Sequence, residues 1–81
     1  MNQELLILRG RLAEASNKKK DLEIRIGALK RTIRADADPY LEPDEASALA
    51  LADSAKLLLE AVAAWSQTSA LIERLKKDLG E

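Results

Sequence analysis

From Leu5 to Ile33 one set of positions recurs at alternating intervals of three and four residues: Leu5, Leu8, Leu12, Ala15, Lys19, Leu22, Ile26, Leu29 and Ile33. Apolar side chains repeating every 3.5 residues form a narrow stripe on one face of a helix, and a facing helix is what buries such a stripe. The stripe holds for four heptads with one charged member, Lys19, at its centre. The chain must therefore supply, or find, a second helix.

The boundaries follow from local chemistry. Asn2 is a suitable N-cap, Glu4 suits the positive end of the helix dipole, and Arg31 and Arg34 suit the negative end. Asp38 precedes Pro39 and is pushed out of the α region, so the first helix should end near Asp36. Pro43 fits a first helical position, with Asp44 and Glu45 behind it, and Gly80 is a natural terminator. The expectation is one domain over 1–81, with helix 1 at about 3–36, a loop at 37–42 and helix 2 at about 43–79.

Helix 2 carries a wider apolar pattern. One seam runs Leu51, Ala55, Leu58, Val62, Trp65, Ser69, Ile72, Lys76, Leu79, and another beside it runs Ala50, Ser54, Leu57, Ala61, Ala64, Thr68, Leu71, Leu75. Two adjacent seams present about half the circumference to other protein and normally meet two neighbours.

Long helices joined by a short connector fold back antiparallel. A turn centred near Pro39 and Tyr40 sets Ala15 against Ala64 or Trp65, Leu22 against Leu57 or Leu58, Leu8 against Leu71 or Ile72, and Leu5 against Leu75. Lys19 then falls opposite Glu60, a pair that would fix register, worth at most ~1 kcal/mol when partly exposed. The expected fold class is all-α, a coiled-coil-like antiparallel two-helix hairpin. Its core seam is Leu5, Leu8, Leu12, Leu22, Ile26, Leu29 and Ile33 against Leu51, Leu57, Leu58, Val62, Trp65, Leu71, Ile72 and Leu75. A lone hairpin has a thin core, and small chains usually gain stability from disulfides, metals or oligomerisation. With no Cys and no His in the sequence, oligomerisation is left, and a homodimer forming an antiparallel four-helix bundle is expected.

The same inventory argues against catalysis. Without His or Cys a nucleophile would have to be Ser, Thr or Lys, and Ser16 near Lys19 or Ser54 near Lys56 sit among alanines with no glycine-rich turn. Gly10, Gly27 and Gly80 stand alone, so no phosphate loop or dinucleotide fingerprint exists. Asp36 and Asp38 match the first two ligands of a calcium loop, but Tyr40, Leu41 and Ser47 occupy positions that need a ligand, a glycine and a glutamate. No enzyme, no cofactor and no metal is expected. No apolar run reaches the ~20 residues of a membrane span, and no signal-peptide pattern opens the sequence, so a cytoplasmic protein without membrane contact is expected.

Charge is divided unevenly. Residues 1–35 carry nine bases against four acids, a balance of +5, and residues 36–81 carry four bases against ten acids, a balance of −6. Opposite charge within one small chain favours attraction between the halves over a nucleic-acid arm. Lys18, Lys19 and Lys20 point to different sides of the helix, interleaved aromatics are missing, and nucleic acid is therefore a weak third reading.

The outer face of helix 1 carries Leu6, Gly10, Ala13, Asn17, Ile24, Ala28 and Ala35, with Ile7 beside them. A solvated face usually carries Glu, Lys and Gln, whereas small residues with a few large apolar ones permit another helix to approach. Leu6, Ile7, Gly10, Ala13, Asn17, Ile24 and Ala28 are thus the candidate partner-binding residues. The expected function is a small non-enzymatic interaction module, an adaptor or inhibitor that occupies the surface of another protein through helical faces. The alternative is a structural assembly subunit or a chaperone, of the kind found in secretion and phage systems.

Overall fold

A computed structural model describes residues 2–81, with side chains from Gln3 onward. It is all-helical among those residues: α1 (Asn2–Asp36) and α2 (Glu45–Asp78) pack against each other as a hairpin. The Cα atoms extend over 62 × 16 × 14 Å, a rod about as thick as two helices side by side. The capping role expected of Asn2 falls on a side chain outside the described residues.

The connector is built from two aspartates. Ala37 N–H donates to the Ile33 carbonyl at 2.8 Å and closes α1. Asp38 then organises the turn, its Oδ1 accepting from Tyr40 N–H at 2.9 Å and its carbonyl from Leu41 N–H at 3.1 Å. Pro39, with its fixed φ, is well placed inside such a turn. Pro43 does not open α2. The residue after it, Asp44, is extended (φ −140, ψ 129) and caps the helix, accepting from Ala46 N–H at 3.1 Å and from the Ser47 hydroxyl at 3.3 Å. A carboxylate satisfies free amides at a helix start, and proline cannot, so the helix begins two residues later than its proline suggests. At the far end Gly80 takes φ 82, Gly80 N–H donates to the Lys77 carbonyl and Glu81 N–H to the Lys76 carbonyl. These two bonds are the Schellman closure, which glycine adopts without steric cost.

The inward positions of α1 are the heptad stripe itself. Leu8, Leu12, Lys19, Leu22, Ile26, Leu29 and Ile33 are half-buried, Ala15 is buried, and Leu5 lies largely exposed at the open end. In α2 the inward stripe is neither of the two seams expected. It takes alternate members of both: Ser47, Leu51, Ser54, Leu58, Ala61, Trp65, Thr68, Ile72, Leu75 and Leu79 are buried or half-buried at a perfect four–three alternation. Leu57, Val62 and Leu71, expected in the core, lie on its flanks and are exposed. A line midway between two adjacent apolar columns buries some of each, and small residues such as Ser54, Ala61 and Thr68 let the helices come close.

Register also differs from the expectation. The tightest cluster joins Ala15 to Ile72 and Leu75, with Leu8 and Leu12 packed against it. Ala15 thus meets Ile72 instead of Trp65, a slip of one heptad. The alternation sets the other levels: Leu12 with Leu75, Leu22 with Trp65, Leu29 with Leu58, and Asp36 with Leu51, both of which line the groove at the turn. A heptad slip exchanges every seam residue for another of the same stripe, so periodicity cannot oppose it. Ala15, Ala61, Thr68, Ile72 and Leu75 are the buried residues, and no large side chain is wholly enclosed among the described residues.

Candidate functional site

At mid-hairpin the two helices are locked by one aromatic residue. Trp65 Nε1–H donates to Glu23 Oε1 at 3.2 Å, and the Lys19 ammonium stands 5.2 Å from the centre of the Trp65 ring. One level away the Thr68 hydroxyl donates to the Ala64 carbonyl at 2.8 Å, a bond that lets a buried threonine sit in the seam without an orphaned donor. Lys19 therefore does not take Glu60 as its register partner. Glu60 lies exposed on α2, and the slip brings the π-face of Trp65 to the lysine instead. A lysine over tryptophan contributes about 0.5–1 kcal/mol at a partly exposed site. The ring takes the cation on its face and gives its single donor to Glu23, so three residues fix both rotation and level of the helices.

On the outer face of α1 the expected binding residues are displayed together. Leu6 is 65% exposed, Ile7 57% and Ile24 69%, and Gly10, Ala13, Asn17 and Ala28 are exposed between them. A Cβ placed on Gly10 would meet nothing within 4 Å, and one on Gly27 would touch only Arg31 Nη1 at 3.7 Å. Neither glycine is needed for packing within the hairpin.

Helix α2 shows more uncovered apolar surface than its seams suggested. Leu57 and Leu71 line one flank and Val62 the other, with Leu49 and Leu59 farther round. Beside Leu71 the hairpin opens into a shallow groove of ≈ 380 Å³ lined by Arg11, Glu14, Ala15, Lys18, Leu71 and Leu75. Its walls are apolar and its rim is charged. The second groove lies at the turn, between Asp36, Leu41 and Leu51, with Tyr40 projecting almost wholly into solvent. Among the described residues no group of three carboxylates stands close enough together to hold a metal ion.

Sequence reasoning missed Glu23 as the partner of Trp65. The signal available was that a half-buried indole N–H requires an acceptor, and Glu23 is a carboxylate on the flank of the α1 stripe. It also missed Leu49 and Leu59, which lie outside both expected seams. No family model, no curated protein and no solved structure matches this chain.

Proposed function

We propose that this chain is a non-enzymatic protein-binding module, an adaptor or inhibitor that occupies a partner's surface through the outward face of α1. The observation that carries the reading is the trio Leu6, Ile7 and Ile24, exposed on a helix that packs along α2. Covering each of them would contribute about 1–2 kcal/mol, scaled from the transfer energy of a full aliphatic side chain. Ala13, Asn17 and Ala28 beside them are small enough to let a partner's backbone come near. The helix is already formed, so binding would cost little ordering entropy.

Lys19 is turned onto Trp65, so Lys18 to Lys20 do not offer three ammonium groups on one face. That weighs for protein over nucleic acid as the partner, since phosphate recognition draws on a concentrated basic face. Among the described residues no helix is long and apolar enough to cross a membrane. The proposal places the protein in the cytoplasm, in keeping with a chain that has no Cys.

The test is affinity capture from the native proteome with the parent chain and with Ile24→Glu/Ala28→Glu. Both positions are exposed, so helicity should be unchanged while the captured protein is lost. Equal capture by the two chains would remove this face as the site. Retention on immobilised DNA that falls steeply with salt would favour the nucleic-acid reading.

A further inference from the structure

The hairpin leaves far more surface uncovered than a chain of its mass normally does. Its accessible surface is 6557 Å² for 8.9 kDa, whereas a compact monomer of that mass exposes about 4,800 Å². The excess is larger than the ~800 Å² that each partner contributes to an interface of standard size. Part of it is concentrated on one flank of α2, where Leu57, Ala64 and Leu71 recur every seven residues and end beside the groove at Leu71, Leu75 and Ala15.

Charge then says what can cover that flank. Helix α1 carries nine bases against five acids, whereas α2 carries four bases against five acids and is nearly neutral. Two hairpins stacked with α1 on α1 would set the two basic helices against each other. Stacked with α2 on the partner's α1, the two basic helices are kept apart, each lying between two nearly neutral ones. The bases Arg11, Lys18 and Arg25 also recur every seven residues, on the corresponding flank of α1, and two of them already form the rim of the groove. Long basic side chains lay apolar stems on leucines and keep their charged heads at the edge. Glu60 and Asp53 are exposed on α2 just outside the leucine column, where those heads would end.

We infer that the occupant is a second copy of this chain, docked so that the Leu57–Ala64–Leu71 flank of α2 meets the Arg11–Lys18–Arg25 flank of the partner's α1. The two-fold axis runs along the rod, each interface is repeated once by symmetry, and the product is a four-helix bundle in which basic and nearly neutral helices alternate. The outer face of α1 stays free in this arrangement, so the dimer presents two copies of the proposed binding surface. The dimer does not depend on that surface having a partner.

The experiment is sedimentation equilibrium of the full chain, with variants that separate the possible faces. Twice the mass of one chain is expected, with dissociation several-fold stronger in high salt than in low salt because the contact is partly electrostatic. Leu57→Lys/Leu71→Lys sets like charge against the partner's bases and should return the chain to monomer with its helicity intact, whereas Leu59→Lys, on another side of α2, should leave the dimer unchanged. Since the chain has no Cys, arrangement can be read by oxidation. A mixture of Arg25→Cys and Ala64→Cys chains should give a cross-linked pair, and Ala64→Cys alone should not. This cysteine pair keeps the test decisive should the lysine variant lose its helicity. A monomer at about 100 µM, far above the micromolar-to-picomolar range reached by standard interfaces, overturns the inference. So does a dimer untouched by the lysine pair in a folded variant, or Ala64→Cys cross-linking to itself. A monomer that still loses its captured protein through Ile24→Glu/Ala28→Glu would overturn the dimer and leave the binding proposal standing.

Discussion

Leu75→Ala measures how much of the hairpin's stability sits at its open end. Leu75 is 4% exposed and belongs to the cluster with Ala15 and Ile72. Truncation to alanine removes three carbons, a transfer loss of about 2.4 kcal/mol at ~0.8 kcal/mol per methylene. In a closed core a cavity term would be added, bringing such changes to as much as ~5 kcal/mol. Here Leu75 borders the open groove with Arg11, Lys18 and Leu71, whose side chains can settle into the space, so the cavity term should be small. The expected cost is about 2–3 kcal/mol, a large fraction of the ~4–12 kcal/mol that a chain of this length commands. Urea unfolding followed by helical circular dichroism should show the midpoint falling by roughly 2 M at an m-value near 1 kcal/mol/M, with the slope unchanged. Protein concentration must be held fixed, because self-association would add to apparent stability. Leu59→Ala is the control: Leu59 is 71% exposed, and the change should stay within about 0.5 kcal/mol. A loss at Leu75 below about 1 kcal/mol, or an equal loss at Leu59, would refute the account of where the core lies.

Two further substitutions test local features. Gly27→Ala adds a Cβ that meets only Arg31 Nη1 at 3.7 Å, an ordinary contact, and Gly10→Ala meets nothing; each should stabilise by up to ~1 kcal/mol in thermal melts, and a destabilising result would mean that something unseen approaches those faces. Asp44→Ala removes the acceptor for Ala46 N–H and the Ser47 hydroxyl and should cost about 1 kcal/mol, while Asp44→Asn should restore most of it.

The sequence makes α1 legible because only one column pair in it is apolar. Leu5 to Ile33 admits a single stripe, flanked by Arg11, Lys18 and Arg25 on one side and Arg9, Glu23 and Lys30 on the other, and that stripe faces α2. In α2 the same reasoning lacks purchase. Leu57 and Leu71 are as apolar as Leu58 and Ile72, and hydrophobicity cannot say which column pair turns inward when several adjacent ones are apolar. The chosen line includes Ser54 and Thr68, which a count of leucines would reject. Helix approach decides it, which is a property of the pair, while the Thr68 bond to the Ala64 carbonyl within α2 lets the threonine enter the seam. Register was hidden for a related reason, since a slip of one heptad preserves every stripe. What distinguishes the alternatives is the meeting of Trp65 with Lys19 and Glu23, which lie more than forty residues before it in sequence. The outward residues of α1 were legible as apolar and small, because exposure follows directly once the inner stripe is known.

The position of the buried cluster has a consequence for how the hairpin forms and opens. Zipping outward from the turn would first join Ile33 to Ser54 and Leu29 to Leu58, contacts that remain half-wet. The best-packed layer, Ala15 with Ile72 and Leu75, comes together only after nearly the whole chain has been drawn into place. Loop closure must then be met before its main reward arrives, which sets the folding barrier late and makes it sensitive to the reach of both helices. The part of the hairpin away from its turn acts here as the clasp. Amide exchange should accordingly be slowest around Leu12 to Ala15 and Ile72 to Leu75, and a bulky fusion at either end would press on the part that keeps the rod shut.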